Sequence, residues 1–253
     1  MVYKPKIIAV VPARMASTRF PGKPLADILG LPMIEHVRRR VALSPVFDSV
    51  VVATCDQEIF DVVRRHGGKA VMTADTHERC TDRIAEATLT EKADIVVNVQ
   101  GDEPLVRPEG FAALIEPLLK YPDLQTTNLI GEILTDADFK SPNVVKTVVD
   151  PHMNVLYFSR EPIPSASKAG GVKYRRYRQL GIIAFRYDFL HIFYRLEPTP
   201  LEQVESVDMM RAIEHGYRVH AVLSGFQAIG VDVPADLEVA RNMMKEDNLF
   251  GSY

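Results

Sequence analysis

Short apolar runs recur along the chain, each followed by a polar, turn-rich segment and then by a stretch whose apolar residues fall three and four apart. Ile7-Ile8-Ala9-Val10-Val11 is mostly β-branched, as in a parallel strand buried on both faces. After a loop rich in Arg, Ser, Pro and Gly, Pro32 stands where a helix can begin, and Met33, Ile34, Val37 and Val41 make one apolar face. Val50–Thr54 predicts a second buried strand. Asp56 is placed to cap the next helix, which runs to His66 and ends at Gly67-Gly68. Ala70–Met72 as strand, Thr81–Thr90 as helix and Ile95–Val99 as strand continue the alternation. Such a chain builds a mostly parallel sheet with helices on both faces, an α/β fold of the Rossmann-like kind, and its ligands sit beyond the strand C-termini. Residues 13–24 and 100–104 are the polar, constrained loops in that position.

From residue 125 the pattern turns toward strands: Thr126–Ile130, Val144–Val149, Val155–Phe158 and Leu180–Phe185. We therefore expect one domain over 1–253, with 125–200 a smaller β-rich lobe inserted in it. Asp188–Tyr194 and Val204–His215 read as helices, Arg218–Leu223 as a strand, and Pro234–Met243 as a closing helix after a turn at Asp232. Lys168–Lys173, with its glycines and lysines and no apolar pattern, reads as a mobile loop or a surface connector.

Composition narrows the classes of function. The 253 residues carry 30 basic and 33 acidic side chains, a net charge of −3 that argues against a generic nucleic-acid binder. The longest apolar runs fall far short of the roughly 20 residues a membrane-spanning helix needs. Residues 1–6 lack the apolar stretch and cleavage site of a signal peptide, so no membrane insertion and a cytoplasmic location are expected. Cys55 and Cys80 lie in no C-x-x-C motif and are expected to be free thiols.

The first loop, Pro12-Ala-Arg-Met-Ala-Ser-Thr-Arg-Phe-Pro-Gly-Lys-Pro-Leu25, places Arg14, Arg19 and Lys23 just after a buried strand. Backbone N–H groups near Ser17 and Gly22 would cradle anionic oxygens, with Arg14 and Lys23 adding permanent charge, which suits a polyphosphate. Neither a Walker loop nor G-x-G-x-x-G is present, so P-loop ATPases and dinucleotide enzymes are disfavoured. Asp102, in Gln100-Gly-Asp-Glu-Pro104, is the first candidate ligand for a hard cation; Asp232, in Gly230-Val-Asp-Val-Pro234, is the second, unless it caps the last helix. The seven histidines form no H-E-x-x-H and no zinc spacing, and no G-x-S-x-G elbow occurs.

Four segments in order resemble the CTP-dependent sugar cytidylyltransferases, and within them the 3-deoxy-manno-octulosonate (KDO) group: 12–25, Asn98–Pro104, Leu156-Tyr-Phe-Ser-Arg160 and Gly230–Pro234. The resemblance implies a nucleotide-diphospho-sugar transferase-like fold, a homodimer formed through the β-rich lobe, and Mg²⁺-dependent transfer of CMP from CTP to a 3-deoxy-octulosonic acid for lipopolysaccharide biosynthesis. By that resemblance Arg14, Ser17, Arg19, Lys23, Arg83 and Asp102 bind nucleotide, Asp102 and Asp232 bind the metal, and Lys23 and Arg14 join these two in catalysis. Gln100, Arg160, Gln179 and Asp208 face the sugar.

Departures from the family pattern fall on the sugar side. Gln179-Leu-Gly-Ile-Ile-Ala-Phe185 lacks a histidine and two tyrosines common in the family, Asp208-Met209 stands for a Glu-Gln pair, and Arg79-Cys80 for Ser-Gly. A neutral Gln179 with an acidic Asp208 suits a substrate bearing a positive group, which favours 8-amino-3,8-dideoxy-manno-octulosonate over KDO.

Overall fold

The computed structural model describes residues 4–17, 19–226 and 230–253; Thr18 of the first motif lies outside them. In chain order the elements are β1 (Ile7–Ala13), β2 (Asp27–Ile28), β3 (Leu31–Pro32), α1 (Met33–Ala42), β4 (Ser49–Thr54), α2 (Gln57–Arg65), β5 (Lys69–Met72), α3 (Cys80–Ala87) and β6 (Ile95–Val99). They continue with α4 (Gly110–Lys120), β7 (Thr126–Glu132), α5 (Asp136–Lys140), β8 (Lys146–Val149), β9 (Val155–Ser159), β10 (Tyr177–Arg186) and α6 (Tyr187–Arg195). Last come α7 (Pro200–Glu205), α8 (Met209–Glu214), β11 (Val219–Leu223) and α9 (Pro234–Lys245). The chain divides into two compact units, the first made of residues 1–111 and 228–253, the second of 112–227, which contains the β-rich stretch 125–200.

In the first unit β6, β1, β4 and β5 pair in that order, all parallel, with Val10 opposite both Val51 and Asn98. The side chains of β1 and β6 are buried on both faces, as their β-branched runs require. Every strand ends at the same edge, so the 13–24 and 100–104 loops emerge side by side. The chain returns to this unit after residue 228, where Val231, Leu237, Ala240 and Met244 pack on Ile28, Met33 and Leu105. That packing brings Asp232 to the first loop.

In the second unit β7 lies between β11, parallel, and β10, antiparallel; β10 also pairs β8, and β8 pairs β9. The register of β10 shifts between Gln179 and Ile183, and Asn128 holds the irregular stretch by donating to the carbonyls of Leu180 (2.9 Å) and Ile182 (3.3 Å). Phe185, Phe189 and Phe193 form its aromatic centre, beside a buried Arg211–Glu202 pair at 2.6 Å.

Two expectations change. The single helix over Val204–His215 is two, α7 and α8, because Ser206 takes a left-handed conformation at φ 51°. The unanticipated α4 contains Pro117, which interrupts a helical reading of 110–120. Among the described residues no helix is long and apolar enough to cross a membrane. No disulfide joins Cys55 and Cys80, whose Sγ atoms donate at 3.6 Å to Asp56 and Gln100 respectively.

Candidate active site

A cleft of about 310 Å³ opens at the C-terminal edge of the first unit's sheet, and its walls carry Arg14, Ser17, Arg19, Lys23, Arg83, Gln100, Asp102 and Asp232. The sequence-predicted nucleotide and metal residues therefore share one cavity, together with Gln100. Lys23 is its electrostatic centre. Gly22, at φ 72°, turns the chain into a short 3-10 segment over Lys23–Leu25, and Pro24 is buried beneath it. The Lys23 ammonium, 13% exposed, donates to Asp102 Oδ2 at 2.6 Å and to the Val231 carbonyl at 2.8 Å. It lies 3.9 Å from Asp232 Oδ1, which accepts Arg19 Nη2 at 2.9 Å.

The backbone fixes this convergence. The Val231 N–H donates to the Asp102 carbonyl at 2.9 Å, so the peptides bearing the two aspartates are joined directly. Asp232 does not cap α9. Asp236, one turn into that helix, accepts the N–H groups of Asp232 (2.8 Å) and Val233 (3.0 Å), leaving the Asp232 carboxylate to face Arg19 and Lys23. Gly101 is required where it stands, since a Cβ there would meet the Pro12 carbonyl oxygen at 2.7 Å.

The loop differs from expectation in one respect. The Gly22 N–H bonds the Met15 carbonyl at 3.2 Å and the Phe20 N–H bonds Ser17 Oγ at 3.2 Å, so both stabilise the loop itself rather than presenting bare donors to an anion. Asp56 occupies the expected N-cap position of α2, but its carboxylate makes no cap bond and accepts the Met15 N–H at 2.7 Å, holding the loop from behind. Positive charge comes from Arg14 and Arg19, both exposed, and from Lys23.

Two carboxylates against one ammonium form the donor set of a hard, oxygen-loving cation that takes its remaining ligands from water and phosphate. Among the described residues no group of three or more His, Cys, Asp or Glu side chains is placed to hold a metal unaided. The residues thus fit an ion completed by a phosphate-bearing substrate better than a closed structural site.

The remaining predicted sugar residues lie in the second unit. Arg160 donates from Nε to the Glu205 carbonyl (2.8 Å), from Nη1 to that of Pro142 (2.9 Å) and from Nη2 to that of Ser206 (3.3 Å). The Arg160 N–H and Ser159 Oγ both reach the Glu205 carboxylate, at 2.8 and 3.0 Å. Beneath them the buried Lys146 donates to the carbonyls of Ser141, Val144 and Arg160, and that burial pulls its pKa down. Gln179 Nε2 bonds Asn128 Oδ1 at 2.7 Å, next to the register shift of β10. Asp208 stands at the start of α8.

A family profile described as "Cytidylyltransferase" matches residues 8–221. The chain belongs to the cytidylyltransferase family. It is 44% identical over 242 residues to a 3-deoxy-manno-octulosonate cytidylyltransferase of Geobacter metallireducens, covering 92% of this chain and 95% of that one. The corresponding protein of Pelobacter propionicus is 47% identical over 249 residues, covering 94% and 97%. A solved structure of a CMP:2-keto-3-deoxy-manno-octonic acid synthetase complexed with CTP matches with a TM-score of 0.89 at 39% identity, over 95% of this chain and 99% of that one. The expected nucleotidyltransferase-like α/β fold and the nucleotidyltransferase class of this cytidylyltransferase are thereby established.

Sequence reasoning missed the supporting roles of the Val231 peptide, Asp236 and Glu205, and it read Asp56 only as a helix cap. Only Asp236 had a local signal, as an acidic side chain three residues past a helix start.

Proposed function

We propose that this cytidylyltransferase transfers CMP from CTP to the anomeric hydroxyl of a 3-deoxy-octulosonic acid and releases pyrophosphate. The observation that carries the reading is the meeting of Asp102, Asp232, Lys23 and Arg19 in one cleft at the sheet edge. Supporting it are the names of the relatives and of the CTP-complexed structure.

In this reading Arg14, Arg19 and Lys23 bind the triphosphate and neutralise the charge that accumulates on the departing pyrophosphate. Asp102 and Asp232 hold Mg²⁺, which when bound polarises phosphate oxygens and lowers the barrier to attack on the α-phosphorus. Ser17 and Arg83 line the nucleotide side and Gln100 the sugar side of the cleft. Arg160, Gln179 and Asp208 contact the sugar acid, with the Arg160 guanidinium as partner for its carboxylate. The nucleophile is the sugar's own hydroxyl, so the protein's part is positioning and charge, and no covalent enzyme intermediate is needed.

The finer reading is that the favoured sugar is 8-amino-3,8-dideoxy-manno-octulosonate. Its support is a neutral Gln179 engaged with Asn128 and a carboxylate at Asp208, a pairing that suits an ammonium group better than a hydroxyl. A homodimer, a cytoplasmic location and supply of activated sugar for lipopolysaccharide complete the reading, all resting on the family resemblance. Sedimentation of the purified chain tests the dimer.

The deciding experiment measures pyrophosphate release with MgCl₂ and either CTP or UTP, against KDO, its 8-amino analogue and sialic acid. Release requiring both CTP and an octulosonic acid is expected, with the highest kcat/KM for the amino sugar. No release with any sugar overturns the activity; equal turnover, or preference for KDO, overturns the amino specificity alone.

A further inference from the structure

One wall of the cleft is a loop held from behind by the helix that follows it. Residues 77–80 line it, at the end of the loop that leaves β5 and enters α3. Cys80, the first residue of α3, reaches across to Gln100 Oε1 at 3.6 Å. A loop rich in Thr, Ala, Asp, His and Glu has no large apolar side chain to anchor it, so hydrogen bonds must carry much of its positioning.

Several of those bonds come from one face of α3. Arg83 and Glu86, three residues apart, project on the same side of the helix. Arg83, 3% exposed, donates through Nη1 to Thr73 Oγ1 and to the Ala74 carbonyl, the latter at 3.2 Å. Glu86 accepts the Ala74 N–H at 3.0 and 3.2 Å on its two oxygens and bonds His77 Nε2 through Oε2. Ala74 is thus held at both its N–H and its C=O, and His77 is drawn back toward the helix. Partial burial opposes ionisation of Glu86, but the Ala74 N–H, the His77 ring and the nearby Arg83 outweigh it and hold the carboxyl below the usual range.

We propose that Glu86 is a positioning residue for the nucleotide: by gripping Ala74 and His77 it sets residues 77–80 as a preformed wall of the CTP cleft. The inference rests on the reading of that cleft as a nucleotide site. Glu86 is one-third exposed and His77 is mostly buried, so the pair contributes little to global stability. Its effect falls on pre-organisation, where displacement of a binding wall by about 1 Å is costly.

The test is calorimetric titration of the full chain with CTP and MgCl₂, which needs no sugar, together with steady-state kinetics. Glu86→Ala is expected to weaken CTP binding and raise the KM for CTP about tenfold, while kcat at saturating CTP falls less than threefold. Glu86→Gln, which keeps an acceptor for the Ala74 N–H, is expected to recover part of the affinity. His77→Ala, approaching the pair from its other side, is expected to weaken CTP in the same direction. A folded Glu86→Ala protein that binds CTP as tightly as the unsubstituted chain overturns the inference. Should Glu86→Ala fail to fold, unchanged CTP affinity in both Glu86→Gln and His77→Ala overturns it equally. An unsubstituted chain that binds no CTP overturns the nucleotide reading itself, a result distinct from either.

Discussion

Replacing Asp102 by asparagine separates the chemistry of the cleft from its architecture. The side chain is 32% exposed and makes one strong contact, with Lys23 at 2.6 Å. Asparagine keeps an oxygen in reach of that ammonium, so a hydrogen bond from a still-charged donor remains and what is lost is the ion-pair attraction, about 4 kcal/mol for charges this close near a protein surface. Solvent screening at a partly exposed site trims that loss to below about 1 kcal/mol. Lys23 also retains the Val231 carbonyl at 2.8 Å and Asp232 at 3.9 Å. For a chain this long, Tm should fall by no more than about 4 °C. Turnover should fall much further: in the proposed reading Asp102 helps hold the ion that stabilises the reacting phosphates, and weakening such electrostatic stabilisation costs on the order of 10²–10³ in kcat, about 2.7–4 kcal/mol. The Mg²⁺ concentration giving half-maximal rate should rise as well, since the proposed reading makes Asp102 one of two carboxylate ligands. Pyrophosphate release and a thermal melt on one preparation read both quantities. A folded Asp102→Asn protein with a third or more of the original kcat removes Asp102 from the machinery; a Tm drop beyond about 10 °C makes it a structural keystone.

Three further outcomes follow from the same geometry. Gly101→Ala forces a Cβ to within 2.7 Å of the Pro12 carbonyl oxygen, and we expect about 1–3 kcal/mol of destabilisation by urea melt together with loss of CTP affinity; a variant unchanged in both would refute the tight approach. His36 is fully buried, bonded to the Ile28 carbonyl and the Tyr253 hydroxyl, both at 2.8 Å, and burial lowers its pKa. The unfolded chain then binds the proton more readily than the folded one. Stability should therefore fall as pH drops below about 6.5 toward the depressed folded value, and urea melts at pH 7.5 and 5.5 should show a smaller difference in His36→Gln. Asp247 pairs with the fully buried Arg40, and although burial opposes its ionisation, the Arg40 contact holds its carboxyl below the ordinary value. Asp247→Asn should cost about 3–5 kcal/mol at neutral pH with CTP affinity unchanged. That contribution is present above the unfolded carboxyl pKa of about 3.9 and is lost as pH falls through the folded one, so equal acid melts of the two proteins would contradict it.

The first unit was readable because its signals are local. β1, β4 and β6 are short β-branched runs between turn residues, and α1 and α2 carry apolar residues on one face. The second unit was readable in its strands and less so in its helices. Val204, Val207 and Met210 continue an apolar spacing straight through the break between α7 and α8, where Ser206 is left-handed with no glycine to announce it. In α4, Pro117 contradicts a helical reading that tertiary packing of Phe111, Leu114, Ile115 and Leu118 overrides.

The site shows where local reading fails for a physical reason. Asp56 and Asp232 each precede a helix and each reads as a cap, yet neither carboxylate caps its helix. Both turn to the same loop, Asp56 to the Met15 N–H and Asp232 to Arg19 and Lys23. For Asp232 the loop's cations decide, since a carboxylate gains more from a charged partner than from a neutral backbone N–H, whereas Asp56 gives up the N–H groups of its own helix for one across the fold. The turn of Asp232 away from the helix is stabilised by Asp236, which accepts the N–H groups of Asp232 and Val233 just ahead of α9. A carboxylate at a helix start is therefore ambiguous until the donors across the fold are known, and here those donors lie more than forty residues away for Asp56 and more than two hundred for Asp232. Removing the loop's charge should reverse the preference: in an Arg19→Ala, Lys23→Ala protein Asp232 would be released to turn toward the first turn of α9, and Asp236→Ala, destabilising by about 1 kcal/mol in the original chain, should then cost measurably less. Equal costs in the two backgrounds would show that Asp232 is held by its backbone rather than by the cations it faces.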